Sequence, residues 1–159
     1  MSLDDWVLAL HMLSAFLFVG GVAFLWVLLV AVRQADTPEG TLRLVPLARV
    51  ADATVAVGAM GTIVLGIWLA FSVGGYDIWD AWIVAALVFW ALAAEFGRRT
   101  GAAYMQGMNK AQELRAAGQA GPSTELLAIN QTSTGVLFHA LASAAVVLIL
   151  VDMIWKPGA

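Results

Sequence analysis

WVLALHMLSAFLFVGGVAFLWVLLVAV, residues Trp6 to Val32, is an apolar run of 27 residues in which the one ionisable side chain is His11. A helix rises about 1.5 Å per residue, so the run covers roughly 40 Å, more than a bilayer core of roughly 30 Å. An ionisable group at that depth costs free energy unless a partner satisfies it. What His11 touches is therefore the first functional question the chain raises.

The rest of the composition agrees with this run. The chain is 62% hydrophobic and 12% charged, with a mean hydropathy of +0.87, whereas soluble domains sit near half apolar and a quarter charged. A single membrane domain over residues 1–159 follows, with no linker to divide it. Zero cysteines exclude disulfides, thiolate metal sites, iron–sulfur clusters and covalent haem attachment. A net charge of −3 gives no reason to expect a nucleic-acid partner; the bilayer is the expected one. MSLDDW is acidic where a signal peptide is basic, so the first run reads as a retained helix.

Three further helices are expected. The first, over residues 4–33, ends in the polar loop Gln34 to Thr41. The second, over 42–73, is amphipathic at its start (Arg43, Arg49, Asp52) and then rich in small residues. Gly74, Gly75 and Tyr76 form a turn. The third, over 77–116, opens with an acidic turn that suits the helix dipole. It meets no breaker before Gly118, so it should run on past Arg98 and Arg99 into water. Ser123 is placed to cap the last helix, over 124–156, which Lys156-Pro157-Gly158 stops. The expected fold is all-α, an antiparallel four-helix transmembrane bundle. Arg33, Arg43, Arg49, Arg98, Arg99, Lys110 and Arg115 lie toward one side and Lys156 toward the other. The positive-inside rule then puts both termini outside the cytoplasm. Trp6, Trp68, Trp79, Trp82 and Trp155 fall at the outer boundary, where an aromatic belt is expected.

Depth follows by counting from those tryptophans. His11 lies roughly 7 Å below Trp6 and Asp152 roughly 4–5 Å below Trp155, so the two are level. His139 and Glu95 both lie roughly 24 Å down, in the layer of Arg98, Arg49 and Asp52. The two histidines are thus roughly 16 Å apart in height and cannot ligate one haem or one metal ion within a single chain. Two readings stand for His11: a neutral imidazole donating to Asp152 or to a backbone carbonyl, and a cofactor ligand. For His139 the expected partner is Glu95, with haem ligation the weaker candidate role. Glu95 with Arg98 or Arg99, and Asp52 with Arg49, have the spacing of interfacial ion pairs.

Thr54, Gly58, Thr62 and Gly66 make a smooth stripe on the second helix, and Gly20 and Gly21 open a notch on the first. Such stripes let helices approach closely. The alternative is that Gly21, Gly58 and Gly66 clear room for a flat macrocycle beside His11, since His11, Ser14, Phe18 and Gly21 share a face. No spacing supports hydrolytic or nucleophilic catalysis, so an enzyme role is left open and would be redox in kind.

Leu10-His11 followed by Ala15, Phe18, Gly20 and Gly21 resembles the first helix of several bacterial membrane families, among them the copper-resistance D-like proteins and the HemJ-type protoporphyrinogen oxidases. Phe18 stands where their motif usually has Trp. The ending Met153-Ile154-Trp155-Lys156-Pro157-Gly158, with the hydropathy and loop order of nearly the whole chain, looks most like a family of small four-helix proteins known as predicted integral membrane proteins of unknown function. The HemJ-type resemblance implies haem b held by His11 together with a lysine on a later helix, but the spanning part of the third helix, residues 78–96, has no lysine. The copper-family resemblance implies metal passage, for which Met12 and Met153 are the thioethers at the depth of His11. The expectation is a multi-pass protein of the bacterial cytoplasmic membrane that binds haem b for electron transfer or haem handling, with a redox partner or a second copy alongside. The alternative is a cofactor-free subunit or carrier, metal-related or otherwise, whose polar residues serve packing.

Overall fold

The computed structural model describes residues 2–72 and 77–157, and every element within them is a helix. The expected turn at Gly74–Tyr76 and the stop at Gly158 fall outside these residues. Helix α1 (Leu3–Gln34) starts with a capping box: Ser2 accepts from the Asp5 amide, and Asp5 accepts from the Ser2 amide. Helix α2 (Pro38–Arg43) follows, capped by Thr37, and α3 runs Val45–Ser72. Helix α4 spans Ala81–Ala116, α5 Thr124–Asn130 and α6 Ser133–Trp155.

Four stretches among the described residues are long and apolar enough to cross a membrane: Leu3–Gln34, Pro38–Ser72, Ala81–Ala116 and Thr124–Trp155. The protein is an all-α membrane protein with four spans. Its large apolar side chains face outward along the helices, including Phe16, Val57, Phe71 and Ile154, as lipid contact requires.

The bundle is built from two close antiparallel pairs, α1 with α3 and α4 with α6. The pairs meet in a central cluster of Phe18, Ala93, Ala145 and Val146, with Val19, Val22, Val55 and Ala59 packed around it. At the basic end, α2 and α5 lie against the long α4.

Three boundaries differ from the sequence reading. The second helix was expected to begin at residue 42, after a loop. Instead the chain turns helical at Pro38, where a missing N–H costs nothing, and is interrupted at Leu44, two residues before Pro46 withdraws an amide from the ladder. The third helix begins at Ala81: Asp77 to Asp80 form a turn in which the Asp80 carboxylate accepts from the Asp77 amide. The last helix is two. Ser123 caps α5 as expected, but the chain breaks at Gln131 and Thr132, whose carbonyls are both taken by the Arg33 guanidinium (2.8 and 3.2 Å).

The far end of α4 is also not a lone helix in water. Its Ala111 and Leu114 are buried with Leu126 of α5 and packed by Leu42 of α2. Lys110 joins Glu113 and reaches Glu125 of α5 (3.2 and 3.0 Å). Asn130 closes the assembly, donating from Nδ2 to the Ala35 carbonyl and to the buried Thr41 hydroxyl (2.9 and 3.0 Å). At the opposite end Trp6, Trp68, Trp79 and Trp155 are exposed, whereas Trp82, expected in the same belt, is buried, with the Lys156 ammonium 5.3 Å from its ring centre.

Candidate functional site

The α1–α3 seam holds His11, and glycine sets its closeness. A side chain at Gly58 would run into the main chain of Phe18 and Leu17, so the two backbones touch there. A Cβ at Gly21 would come within 2.7 Å of Val55 Cγ2. At Gly61 the neighbour is Ser14, whose hydroxyl otherwise donates to its own helix at Leu10. At Gly66 it is the imidazole of His11: a Cβ would sit 3.0 Å from Cε1 and 3.4 Å from Nδ1. The notch made by Gly21, Gly58 and Gly66 is thus filled by the facing helix, residue for residue.

His11 is half-buried, with its Cε1–Nδ1 edge on Gly66 and the Thr62 main chain beside the ring. The ring's hydrogen-bond contact is with that Thr62 main chain, the backbone alternative expected for a neutral imidazole, although Nδ1 is fully buried and meets no acceptor at good geometry. The expected bond to Asp152 is not made. Asp152 is buried on α6, and its Oδ2 is likewise without a partner among the described residues. The helix pairing is the physical reason: His11 faces α3, while α6 packs on α4.

His139 is the opposite case. It is 2% exposed, and its Nε2 lies 3.1 Å from the Val22 carbonyl of α1. A carbonyl only accepts, so Nε2 carries the proton. The ring meets Trp26 edge-on at 4.7 Å; Trp26 Nε1 donates to the Ser143 hydroxyl (2.9 Å), which donates to the His139 carbonyl (2.8 Å). This chain of contacts joins the two helix pairs. It corrects the expected His139–Glu95 pair. Glu95 instead turns outward and takes Arg98 through both oxygens (2.9 Å each) and Arg99 at 2.7 Å. Arg49 and Asp52 are both exposed, with no ion pair between them among the described residues.

Since His139 is level with Val22, eleven residues along α1 from His11, the histidines stand about 16 Å apart along the helix axis. No cluster of three or more His, Asp or Glu forms a metal site among the described residues. Trp26, Ser143 and Gly61 were not singled out from the sequence. Trp26 carried a signal, since an indole N–H far from either end of a spanning helix needs an acceptor.

No curated protein and no solved structure matches the chain. Residues 5–157 match a family model described as "Predicted integral membrane protein (DUF2269)". With nearly its whole length covered, the chain belongs to the DUF2269 family of predicted integral membrane proteins.

Proposed function

We propose that the chain is a small haem b protein of the bacterial cytoplasmic membrane, acting in electron transfer or haem handling, with His11 as the residue that would hold the haem iron and both termini outside. The observation that carries this reading is the setting of the imidazole: His11 stands half-buried against Gly66 and the Thr62 main chain, with a buried Nδ1 that has no well-aligned bond, while His139 is committed through Nε2 to the Val22 carbonyl. Ligation through Nε2 would leave the Cε1–Nδ1 edge against Gly66 and the Thr62 main chain, the kind of outer contact that orients a ligating imidazole. Bound there, haem supplies a one-electron couple. His139 has no part in it, because ligation through Nε2 would forfeit the bond to Val22. The oxidase chemistry of the HemJ-type proteins is not proposed, since the lysine of α4, Lys110, lies beyond Arg98 and Arg99 at the basic end and the apolar part of the helix has none.

The test is spectroscopic. Protein produced with haem available and purified in mild detergent should show a Soret band, which His11→Ala abolishes and His139→Asn leaves in place. A colourless preparation that does not reconstitute with haem overturns the proposal. It would favour the second reading, a cofactor-free membrane subunit or carrier. That reading has its own supporting observation, because Gly21, Gly58 and Gly66 are all filled by neighbouring helix and leave the notch to packing.

A further inference from the structure

At the basic end, a cavity of about 390 Å³ opens between α1, α4, α5 and α6. Two guanidiniums line it from different helices, Arg33 at the end of α1 and Arg99 on α4, and no carboxylate does. Each arginine is held in place by a bond that leaves other N–H groups over. Arg33 gives Nη1 to the carbonyls of Gln131 and Thr132, and Arg99 gives Nε to Glu95 and lies 5.3 Å above the Phe138 ring. Glu95 is spent twice over, on Arg98 and Arg99, and does not line the cavity. Thr100, Gln106, Asn130, Thr132 and Thr134 are among the uncharged polar residues of the wall, while Leu29 and Phe138 make it apolar elsewhere.

We infer that this cavity binds a phosphate group, the headgroup of an anionic phospholipid whose glycerol and upper chains follow the apolar wall. Two positioned guanidiniums with spare donors, and no carboxylate in the cavity wall, match the geometry of phosphate recognition. The cavity also sits where the spanning helices α1, α4 and α6 leave the apolar zone, the level at which basic pockets between transmembrane helices meet headgroups. A free phosphate ester would satisfy the same donors but would have no use for Leu29 and Phe138.

The experiment uses the full chain in mild detergent and native mass spectrometry, with phosphatidylglycerol and phosphatidylcholine of identical acyl chains offered in equal amounts. Phosphatidylglycerol should be retained in preference. Each arginine is expected to contribute about fivefold, so R33Q/R99Q should weaken phosphatidylglycerol binding about thirtyfold and leave phosphatidylcholine unchanged. Arg33 also holds the α5–α6 break, so R99Q alone, which spares that anchor, should still lose about fivefold. Arg43→Gln, in an exposed ion pair with Glu39 outside the cavity, should behave as the parent protein. A parallel thermal-shift titration with glycerol 3-phosphate and inorganic phosphate separates the sources. Stabilisation by these ions that needs Arg33 and Arg99, without any lipid preference, keeps the phosphate site and reassigns its occupant to a soluble ester. Equal retention of the two lipids with no response to phosphate overturns the inference, as does undiminished phosphatidylglycerol binding by R33Q/R99Q and R99Q.

Discussion

Adding one methyl group at Gly58 should separate the α1–α3 pair. An ideal Cβ there lies 2.7 Å from Phe18 Cα and 2.9 Å from the Leu17 carbonyl carbon, and closer still to the Phe18 nitrogen. All three atoms are main chain, so no side-chain rotation relieves the overlap. The helices must retreat by about 1 Å, and a gap of that size forfeits a quarter to a half of each dispersion contact along the seam. Overpacking of this kind costs about 1–3 kcal/mol, and an overlap with backbone belongs at the upper end. The helix propensity of alanine returns about 1 kcal/mol, leaving Gly58→Ala about 2 kcal/mol less stable. Gly97 on α4 is the matched control: nothing lies within 4 Å of its Cβ position, so Gly97→Ala should keep the propensity gain of up to about 1 kcal/mol. Unfolding of both variants in mixed micelles of rising dodecyl sulfate fraction measures the gap, expected at about 3 kcal/mol. Equal stability of the two variants would refute the claim that backbone contact at Gly58 sets the seam.

Three other outcomes follow from particular contacts. Asn130→Ala strands the Ala35 carbonyl and the buried Thr41 hydroxyl and should cost about 1–3 kcal/mol by the same assay, with proteolysis first appearing around α2 and α5. A double-mutant cycle of Trp26→Phe and Ser143→Ala should give a coupling of about 0.6 kcal/mol, the usual size for a hydrogen bond between membrane helices. Gly66→Ala meets the edge of a side chain that can rotate, so its stability effect should stay below about 1 kcal/mol. Under the haem proposal the same substitution should shift or weaken the Soret band, since it displaces the ring that ligates.

The four spans were legible because lipid imposes a length, and runs such as Trp6 to Val32 meet it without help from packing. Helices α2 and α5 were not, because six or seven residues hold too few turns to show a period. They are helical through distant contacts such as Asn130 with Thr41, 89 residues away. Counting residues from the tryptophans fixed height but not direction. His139 and Glu95 were placed level, yet one faces α1 and the other turns outward to its arginines. The small-residue stripe shows the same limit. A strict four-residue step drifts about 40° per turn on a helix of 3.6 residues, so contact passes from Gly58 to Gly61 before returning to Gly66.

The two histidines show what a membrane interior asks of one side chain. His139 needs a single proton on Nε2, and the Val22 carbonyl takes it, so the neutral ring is satisfied at the join between the helix pairs. Trp26 and Ser143 then close the seam without any charge, which suits a region where a charged pair would have to overcome its own desolvation. His11 has the Thr62 main chain as its hydrogen-bond contact, in poorer alignment than the Val22 bond of His139, and not the Asp152 that was expected within reach. Keeping an imidazole there with a buried nitrogen lacking a well-aligned bond costs free energy that leucine at the same position would avoid. Gly66 adds to that cost, because alanine would favour the helix more, and what its absent side chain makes room for is the edge of the imidazole. Two positions on two helices thus accept a penalty that packing alone does not require, and ligation by His11 would account for both.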